Sequence, residues 1–250
     1  MRALLLSDIH SNLEALTAVL AAAPAHDTVW NLGDVVGYGA NPNEVIDRVW
    51  QLGGSIVRGN HDRACCGLSD VADFNPIAGR AARWTRAVLT EDHKRWLQGL
   101  AVGPIQPDGP SVTCVHGSPL DEDHYLLTVR DAWKPLCQSE TRINFFGHTH
   151  VQGGFATNGE EWFRLTPQYA TRHMLESYEL PLRDGGRYML NPGSVGQPRD
   201  GDWRAAFALY DDEARTVTYY RLPYDVRLAQ MRILGAGLPD RLAIRLRDGR

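Results

Sequence analysis

Apolar positions along this chain fall into two rhythms. Ala3 to Leu6, Thr28 to Leu32 and Ser55 to Val57 are short apolar runs that give way to polar loops, which predicts three buried strands. Between them, Leu13, Leu16, Val19 and Leu20 recur at helical spacing, so Ser11 to Ala23 predicts an amphipathic helix. Pro42 to Leu52 predicts a second helix, with Asn41 as N-cap and Pro42 at its first position. Strand, polar loop, helix, repeated, is the grammar of an α/β layer fold, where sites gather at the carboxyl ends of strands. Two more helices follow, at about 76–88 and 90–98.

The second half changes character. Ser111 to Val115 runs up to His116-Gly117, and Ile143 to Phe146 runs up to Gly147-His148. Further short strands are predicted at 152–157, 161–166, 187–190, 204–210 and 215–222. A β-rich second half after an α/β first half predicts two packed sheets rather than one open sheet. The tail carries two helical patterns, about 224–234 and 239–247, separated by Gly235 and Gly237. No Pro/Ser linker, repeat or low-complexity tract interrupts the chain, so residues 1–250 read as a single domain with a helical tail at about 224–250.

Composition narrows the field. The 250 residues are 43% hydrophobic and 22% charged, enough apolar material for a sizeable core. A net charge of −4 argues against a generally basic nucleic-acid binder and against a polybasic membrane-surface protein. A small anionic substrate stays open, because a few local cations suffice for one. No apolar run approaches a membrane span, and Ala3 to Leu6 is too short for a signal-peptide core. Cys65, Cys66, Cys114 and Cys137 lack disulfide or metal spacing, which reads as reduced thiols in a cytoplasmic protein.

The chemistry sits at the strand ends. Asp8 and His10, two apart after the first strand, point to one side if the backbone is extended, and can approach one cation. The plainer reading is an Asp capping the next helix beside a solvated His. Asp34, among Gly33, Gly37 and Gly39, is a candidate bridging carboxylate or an ordinary loop Asp. Asn60 offers a neutral hard ligand, and His61 stands beside Asp62, which can tune an imidazole; the same residues also suit a capped helix start. His116 alone reads as structural. His148 and His150 repeat the two-apart spacing at a strand end, a metal signal or a hydrogen-bonded pair. Five of nine histidines follow predicted strands, three of them adjoining Gly, Asp or Asn, and as a set these motifs predict a metal site.

The segments SDIHSNLEAL, GDVVGYGANPNEV, VRGNHDRA, FFGHTH and NPGSVGQPRD make the chain resemble the calcineurin-like binuclear metallophosphoesterases, in the small bacterial and archaeal branch of YfcE-like phosphodiesterases. The resemblance covers about residues 1–210 and fits the tail more loosely. It implies an α/β four-layer sandwich of two mixed β-sheets flanked by helices. It implies one metal on Asp8, His10, Asp34 and His150, and another on Asp34, Asn60, His116 and His148. Imidazole with carboxylate suits Mn, Fe, Co, Ni or Zn better than Mg or Ca, with Mn the first expectation. A metal-bridging hydroxide, its pKa lowered toward ~7, would attack phosphorus. His61 would stabilise the transition state or protonate the leaving oxygen, with Asp62 orienting it.

Substrate signals are sparser. The resemblance implies a small phosphorylated substrate, with nucleotides and dinucleoside polyphosphates among the candidates, and no membrane or stable nucleic-acid partner. Protein phosphatases of the superfamily usually carry Arg where this chain has Tyr38, which weighs against a phosphoprotein substrate. Arg199 either approaches the site to bind substrate or pairs at the surface with Asp200 or Asp202. Asp121 to Tyr125 reads as an ordinary loop, the alternative being that it borders the pocket with His124 or Tyr125, and Trp203 reads as packing. The tail arginines, Arg245 among them, read as a solvated face with Asp225, Asp240 and Asp248. An alternative function is a catalytically weak metal-binding scaffold or interaction protein of the same fold. A DNA-repair nuclease would need an added, more basic domain.

Overall fold

The computed structural model describes residues 1–72, 74–107 and 111–250. Strands β1 (Arg2–Leu6), β2 (Thr28–Asn31) and β3 (Ser55–Ile56) are parallel neighbours, with helices α1 (Leu13–Ala22) and α2 (Pro42–Leu52) crossing between them. α3 (Asn60–Cys65), α4 (Pro76–Val88) and α5 (Glu91–Gln98) follow. Then come β4 (Val112–Cys114), α6 (Val129–Gln138), β5 (Ile143–Phe145), β6 (Gly153–Thr157), β7 (Trp162–Leu165), β8 (Glu176–Pro181), β9 (Arg187–Asn191), β10 (Ala205–Asp211) and β11 (Thr216–Leu222). Helices α7 (Val226–Gly235) and α8 (Asp240–Asp248) end the order.

The strands form two mixed sheets, ordered β3-β2-β1-β10-β11-β8 and β4-β5-β9-β6-β7. β1 shows why both faces of the first sheet are covered. Its side chains alternate, so Leu4 and Leu6 enter a core shared with α1, α2, α4, α5, α7 and α8. Ala3 and Leu5 enter a second core against Val112, Phe145 and Leu190 of the other sheet. A continuous apolar run is what a strand buried on both faces requires. Beyond the second sheet, α6 packs Ala132 and Leu136 against Phe155 and Met189. The result is the expected four-layer α/β arrangement, helices outside and sheets inside. The tail helices place Ala229, Ile233, Leu242 and Leu246 in the first core.

Two elements differ from expectation. β8 was not predicted: it is an edge strand whose residues are mostly exposed, so it carries no burial alternation. α6 was not predicted either, because Pro135 sits inside it and its apolar stripe is short. Asn60 to Cys65 forms a helix, in line with the capped helix start that these residues also suited. In α2, Asn41 holds the N-cap position, but its Nδ2 donates to Glu44 Oε1 at 3.1 Å rather than its oxygen accepting from the helix. Asp225, expected to pair with tail arginines, caps α7 by accepting from Leu228 N.

Three parallel strands of each sheet, β3-β2-β1 and β4-β5-β9, end their carboxyl termini along one rim. Leu5 sits midway between the sheets with no solvent exposure. Leu5→Ala is expected to destabilise the protein by about 2–5 kcal/mol, read from the midpoint of urea unfolding. A change within about 0.5 kcal/mol, the usual span of surface substitutions, would show that the two sheets do not rely on this contact.

Candidate metal centre

The site residues occupy the loops that leave those strand ends. They are not in extended backbone, as the two-apart spacing had suggested. Asp8, His10, Asp34, His148 and His150 all hold φ between 49° and 64°. Left-handed backbone at a non-glycine residue costs about 1–3 kcal/mol and persists only where neighbours enforce it. Here the loops enforce one another. Asp8 N donates to Gly33 O at 2.9 Å, His10 N to Asp34 O at 3.0 Å, and Ser11 N to Val35 O at 3.0 Å. His148 N donates to the Asp8 carboxylate at 3.1 Å. Gly59 allows the loops after β2 and β3 to touch, since a Cβ there would collide with Asp34 Oδ1.

Two groups of donor atoms result. Asp8, His10, Asp34 and His150 form one, and Asp34, His116 and His148 the other, each with its atoms within 4.8 Å of one another. Asn60 Oδ1 lies 3.2 Å from His116 Nε2 and joins the second. Asp34 belongs to both. Its Oδ1 accepts from His61 N at 2.8 Å, leaving Oδ2 at 3.6 Å from His10 Nε2 and 3.5 Å from His116 Nε2.

Hydrogen bonding behind the rings decides which nitrogen faces inward. His10 Nδ1 meets Val36 O at 3.1 Å, His116 Nδ1 meets Leu32 O at 2.7 Å, and His150 Nδ1 meets Gln197 O at 2.6 Å. A carbonyl accepts only, so each Nδ1 carries a proton; Nε2 of His10 and of His150 then presents a lone pair, and Nε2 of His116, which faces Asp34 Oδ2 and Asn60 Oδ1, presents one when a cation displaces the second proton held there. His148 is reversed: Nε2 meets Asp123 O at 3.1 Å, so Nδ1 faces inward, 3.1 Å from His116 Nε2. His10 Nε2 and His150 Nε2 likewise stand 3.1 Å apart. Lone pairs and carboxylate oxygens packed this closely repel unless a cation lies among them. The donor set therefore fits metal ions, and its mixture of imidazole, carboxylate and amide oxygen fits divalent transition metals.

Electrostatics agree. Burial raises the Asp8 and Asp34 carboxyls, but the facing histidines outweigh it and hold both well below the usual range. Burial pushes His10 and His150 down, and His148 to about 3. Burial also opposes a proton on His116, yet Asp34 and Asp8 raise that ring to about 10. Near neutrality the carboxylates are ionised and most imidazoles neutral, which is the form metal ligands require.

His61 is buried and close by. Its ring packs on Tyr38 at 4.3 Å, Phe74 at 4.8 Å and His10 at 4.9 Å between centroids, and burial lowers it to about 4. Its Nδ1 has no hydrogen-bond partner. Asp62, expected to orient this ring, instead accepts from Val36 N at 3.1 Å and Gly59 N at 3.0 Å, closing the start of α3 as a capping residue does. The ring is positioned by packing. Burial and Asp34 raise Asp62 to about 7.

A cleft of about 340 Å³ opens on the site, lined by Tyr38, Asn60, His61, Phe74, Tyr125 and His148. The segment Asp121 to Tyr125 is therefore not an ordinary loop. Tyr125 stacks on His148 at 3.9 Å, and Asp123 supplies the carbonyl that orients it. Arg199 comes to the site: its guanidinium lies 5.6 Å above the Tyr38 ring and donates to Tyr38 Oη at 3.3 Å and Gln197 Oε1 at 3.1 Å. Its proposed surface partners are taken, Asp200 by Arg221 and Asp202 by Arg204. Sequence reading missed Ser7 and Ser194. Ser7 Oγ donates to Asp8 Oδ2 at 2.6 Å, and Ser194 Oγ to Asp8 O at 2.7 Å. Nothing about an isolated serine reports such a contact.

A calcineurin-like phosphoesterase superfamily domain matches residues 1–214. The chain belongs to that superfamily. An uncharacterized protein of Methanocaldococcus jannaschii is 33% identical over 249 residues, 98% of this chain and 97% of that protein. A symmetrical bis(5'-nucleosyl)-tetraphosphatase of Pectobacterium atrosepticum is 40% identical over 223 residues, 76% of this chain and 79% of that protein. The crystal structure of a metallophosphoesterase from Sphaerobacter thermophilus superposes with a TM-score of 0.84 at 37% identity, covering 100% of this chain and 99% of that one. The latter coverage takes in α7 and α8, so in this calcineurin-like phosphoesterase the tail belongs to a shared architecture.

The buried Ser7 bond fixes the Asp8 carboxylate without touching the facing donors. Ser7→Ala is expected to weaken metal affinity by about 10–100-fold, as loss of an orienting partner commonly does. Competition of Mn or Zn against a fluorescent chelator measures it. Unchanged affinity would mean that the backbone alone holds Asp8.

Proposed function

We propose that this chain is a binuclear metal-dependent phosphoesterase that hydrolyses phosphodiester or phosphomonoester bonds of small, nucleotide-like substrates. The observation that carries this reading is the pair of buried Asp/His clusters sharing Asp34 beside a cleft that also holds His61. Asp8, His10, Asp34 and His150 would hold one ion, and Asp34, Asn60, His116 and His148 the other, with manganese the leading candidate and Fe, Zn, Ni or Co the others. Two such ions supply Lewis acidity and make water acidic enough to ionise near neutral pH.

The chain's own groups do the rest. Phosphoryl transfer is mainly a matter of positioning and charge neutralisation. Asn60, His61 and His148 all line the cleft, so a phosphoryl group seated there meets them together. His61 donates a hydrogen bond to a phosphoryl or leaving oxygen, and its packing against Tyr38 and Phe74 keeps it aimed. Arg199 supplies positive charge at the edge of the site, where it is felt by His150 and His61. The nucleotide-like class is supported by the relative named as a bis(5'-nucleosyl)-tetraphosphatase. Among the described residues no helix is long and apolar enough to cross a membrane. Cys65, Cys66 and Cys137 form no disulfide, which supports a reducing, cytoplasmic setting.

Chelated protein is expected to be inactive toward bis-p-nitrophenyl phosphate and p-nitrophenyl phosphate, and added Mn to restore hydrolysis of at least one. His61→Ala is expected to lower kcat by about 10²–10⁴-fold, the span of acid–base contributions, with metal content unchanged. No hydrolysis with Mn, Fe, Co, Ni or Zn would favour a metal-binding scaffold. An undiminished kcat would remove His61 from the reaction.

A further inference from the structure

A second cavity begins one residue beyond His150. It is a groove of about 920 Å³, within the ~300–1,000 Å³ of ordinary ligand sites, running from Val151 and Gln152 past Tyr169 to Arg172, His173 and Trp203. Its charge is unusual for a chain of net charge −4. Arg164, Arg172, Arg199 and Arg221 line it against Asp200 and Asp202. Both aspartates are used: Asp200 pairs with Arg221, and Asp202 with Arg204 behind the wall at 2.6 Å. Among the described residues, Arg164, Arg172 and Arg199 have no carboxylate partner. Arg172 Nη1 donates to Gly201 O at 2.6 Å and Arg164 Nη1 to Leu127 O at 3.4 Å, contacts that position a guanidinium without neutralising it.

Arg199 stands in the partition between groove and cleft. It lines the groove, while its guanidinium bonds Tyr38, which lines the cleft beside His61. Its backbone N also donates to His150 O at 3.1 Å, so the partition is fixed to a donor residue of the first cluster. Its Nε is buried without a partner. A buried guanidinium N–H left unpaired is costly, and an incoming anion would satisfy it. Three arginines without a carboxylate partner line one groove, and guanidinium is the side chain suited to phosphate. Trp203 and His173 add flat surfaces at the same groove, on which a base can stack.

We infer that this groove is the second half-site for a polyphosphate-containing substrate, such as a dinucleoside polyphosphate. One phosphoryl group sits in the cleft, the chain passes Arg199, and the distal phosphates and nucleoside lie along Arg172 and Arg164. The assignment rests on the phosphoesterase reading above and adds what selects among substrates: short diesters fill the cleft only, whereas long polyanions use both cavities.

The test compares metal-loaded wild type with Arg172→Gln and with the Arg164→Gln/Arg172→Gln double variant. The readout is kcat/KM for diadenosine tetraphosphate divided by that for bis-p-nitrophenyl phosphate. This ratio is expected to fall about tenfold for each arginine lost, chiefly through KM, and Arg172→Lys to recover part of it. A ratio within twofold of wild type overturns the inference, as does a wild type that cleaves the short diester but not the dinucleotide. Calorimetry of the EDTA-treated full chain with inorganic tripolyphosphate supplies a measure independent of turnover. A Kd raised tenfold or more in the double variant supports the groove, and an equal Kd overturns it. Absence of all hydrolysis, by contrast, counts against the phosphoesterase reading, while the binding arm still decides the groove.

Discussion

Like-charged and lone-pair atoms held together by a folded chain are the constraint on which this structure turns. Asp8, Asp34 and the inward nitrogens of His10, His116, His148 and His150 crowd into two groups at spacings near 3 Å, away from water. Desolvating a carboxylate is expensive, and doing so twice in one place is more so. The histidines lessen the expense only in part: His116 takes up a proton under the pull of Asp34 and Asp8. Remaining potential is negative and focused, so the arrangement selects multivalent cations over monovalent ones through charge density. The fold is the agent that opposes the repulsion, and the metal is the partner that converts it into binding free energy.

How the fold does so is visible at the backbone. Donor residues occupy the left-handed region, a set of conformations that no single loop would keep alone. They persist because loops from six strand ends hydrogen-bond to one another, and because those strands are anchored in two apolar cores with fully buried leucines. The β9 loop contributes without offering a ligand atom. Asn191 Nδ2 donates to Gly147 O at 2.8 Å and Ser194 Oγ donates to Asp8 O, so it clamps the β5 and β1 loops from behind. A strained, well-clamped site of this kind loses little order when an ion binds, which favours affinity and fixed geometry together.

Legibility in the sequence followed the range of the interactions concerned. Strands such as Ala3 to Leu6 could be read because burial on both faces leaves an uninterrupted apolar run, and the helix at Pro42 because its start signal is local. Asp8, His10, Asp34, His116, His148 and His150 could be read as a set because each follows a strand directly. β8 could not, since an exposed edge leaves no pattern, and neither could α6 around Pro135. The two-apart spacing singled out residues that do converge, but by another conformation: left-handed turns, not extended backbone, bring Asp8 and His10 together. Asp62 was misjudged because adjacency to His61 in sequence says nothing about which way a helical side chain points; at the third position of α3 it turns back to the backbone. Tyr125 and Ser7 act across space or through a single hydroxyl, and no sequence spacing encodes either.

Tyr38 shows how a local motif can mislead about charge. Protein phosphatases of the superfamily that the chain resembles usually carry an arginine in the loop after this carboxylate; at the corresponding position this chain has the phenol of Tyr38, and the loop alone looks deficient in phosphate-binding charge. The structure restores the charge from more than a hundred and fifty residues away: Arg199 lies over that phenol and bonds its hydroxyl. The consequence is directional. An arginine on the β2 loop would hold its charge over the cleft itself. An arginine arriving from the β9 side, propped on Tyr38, faces both the cleft and the groove beyond it. Moving one cation between segments thus changes which cavities its charge reaches, while the clustered Asp and His residues stay where the strand ends put them.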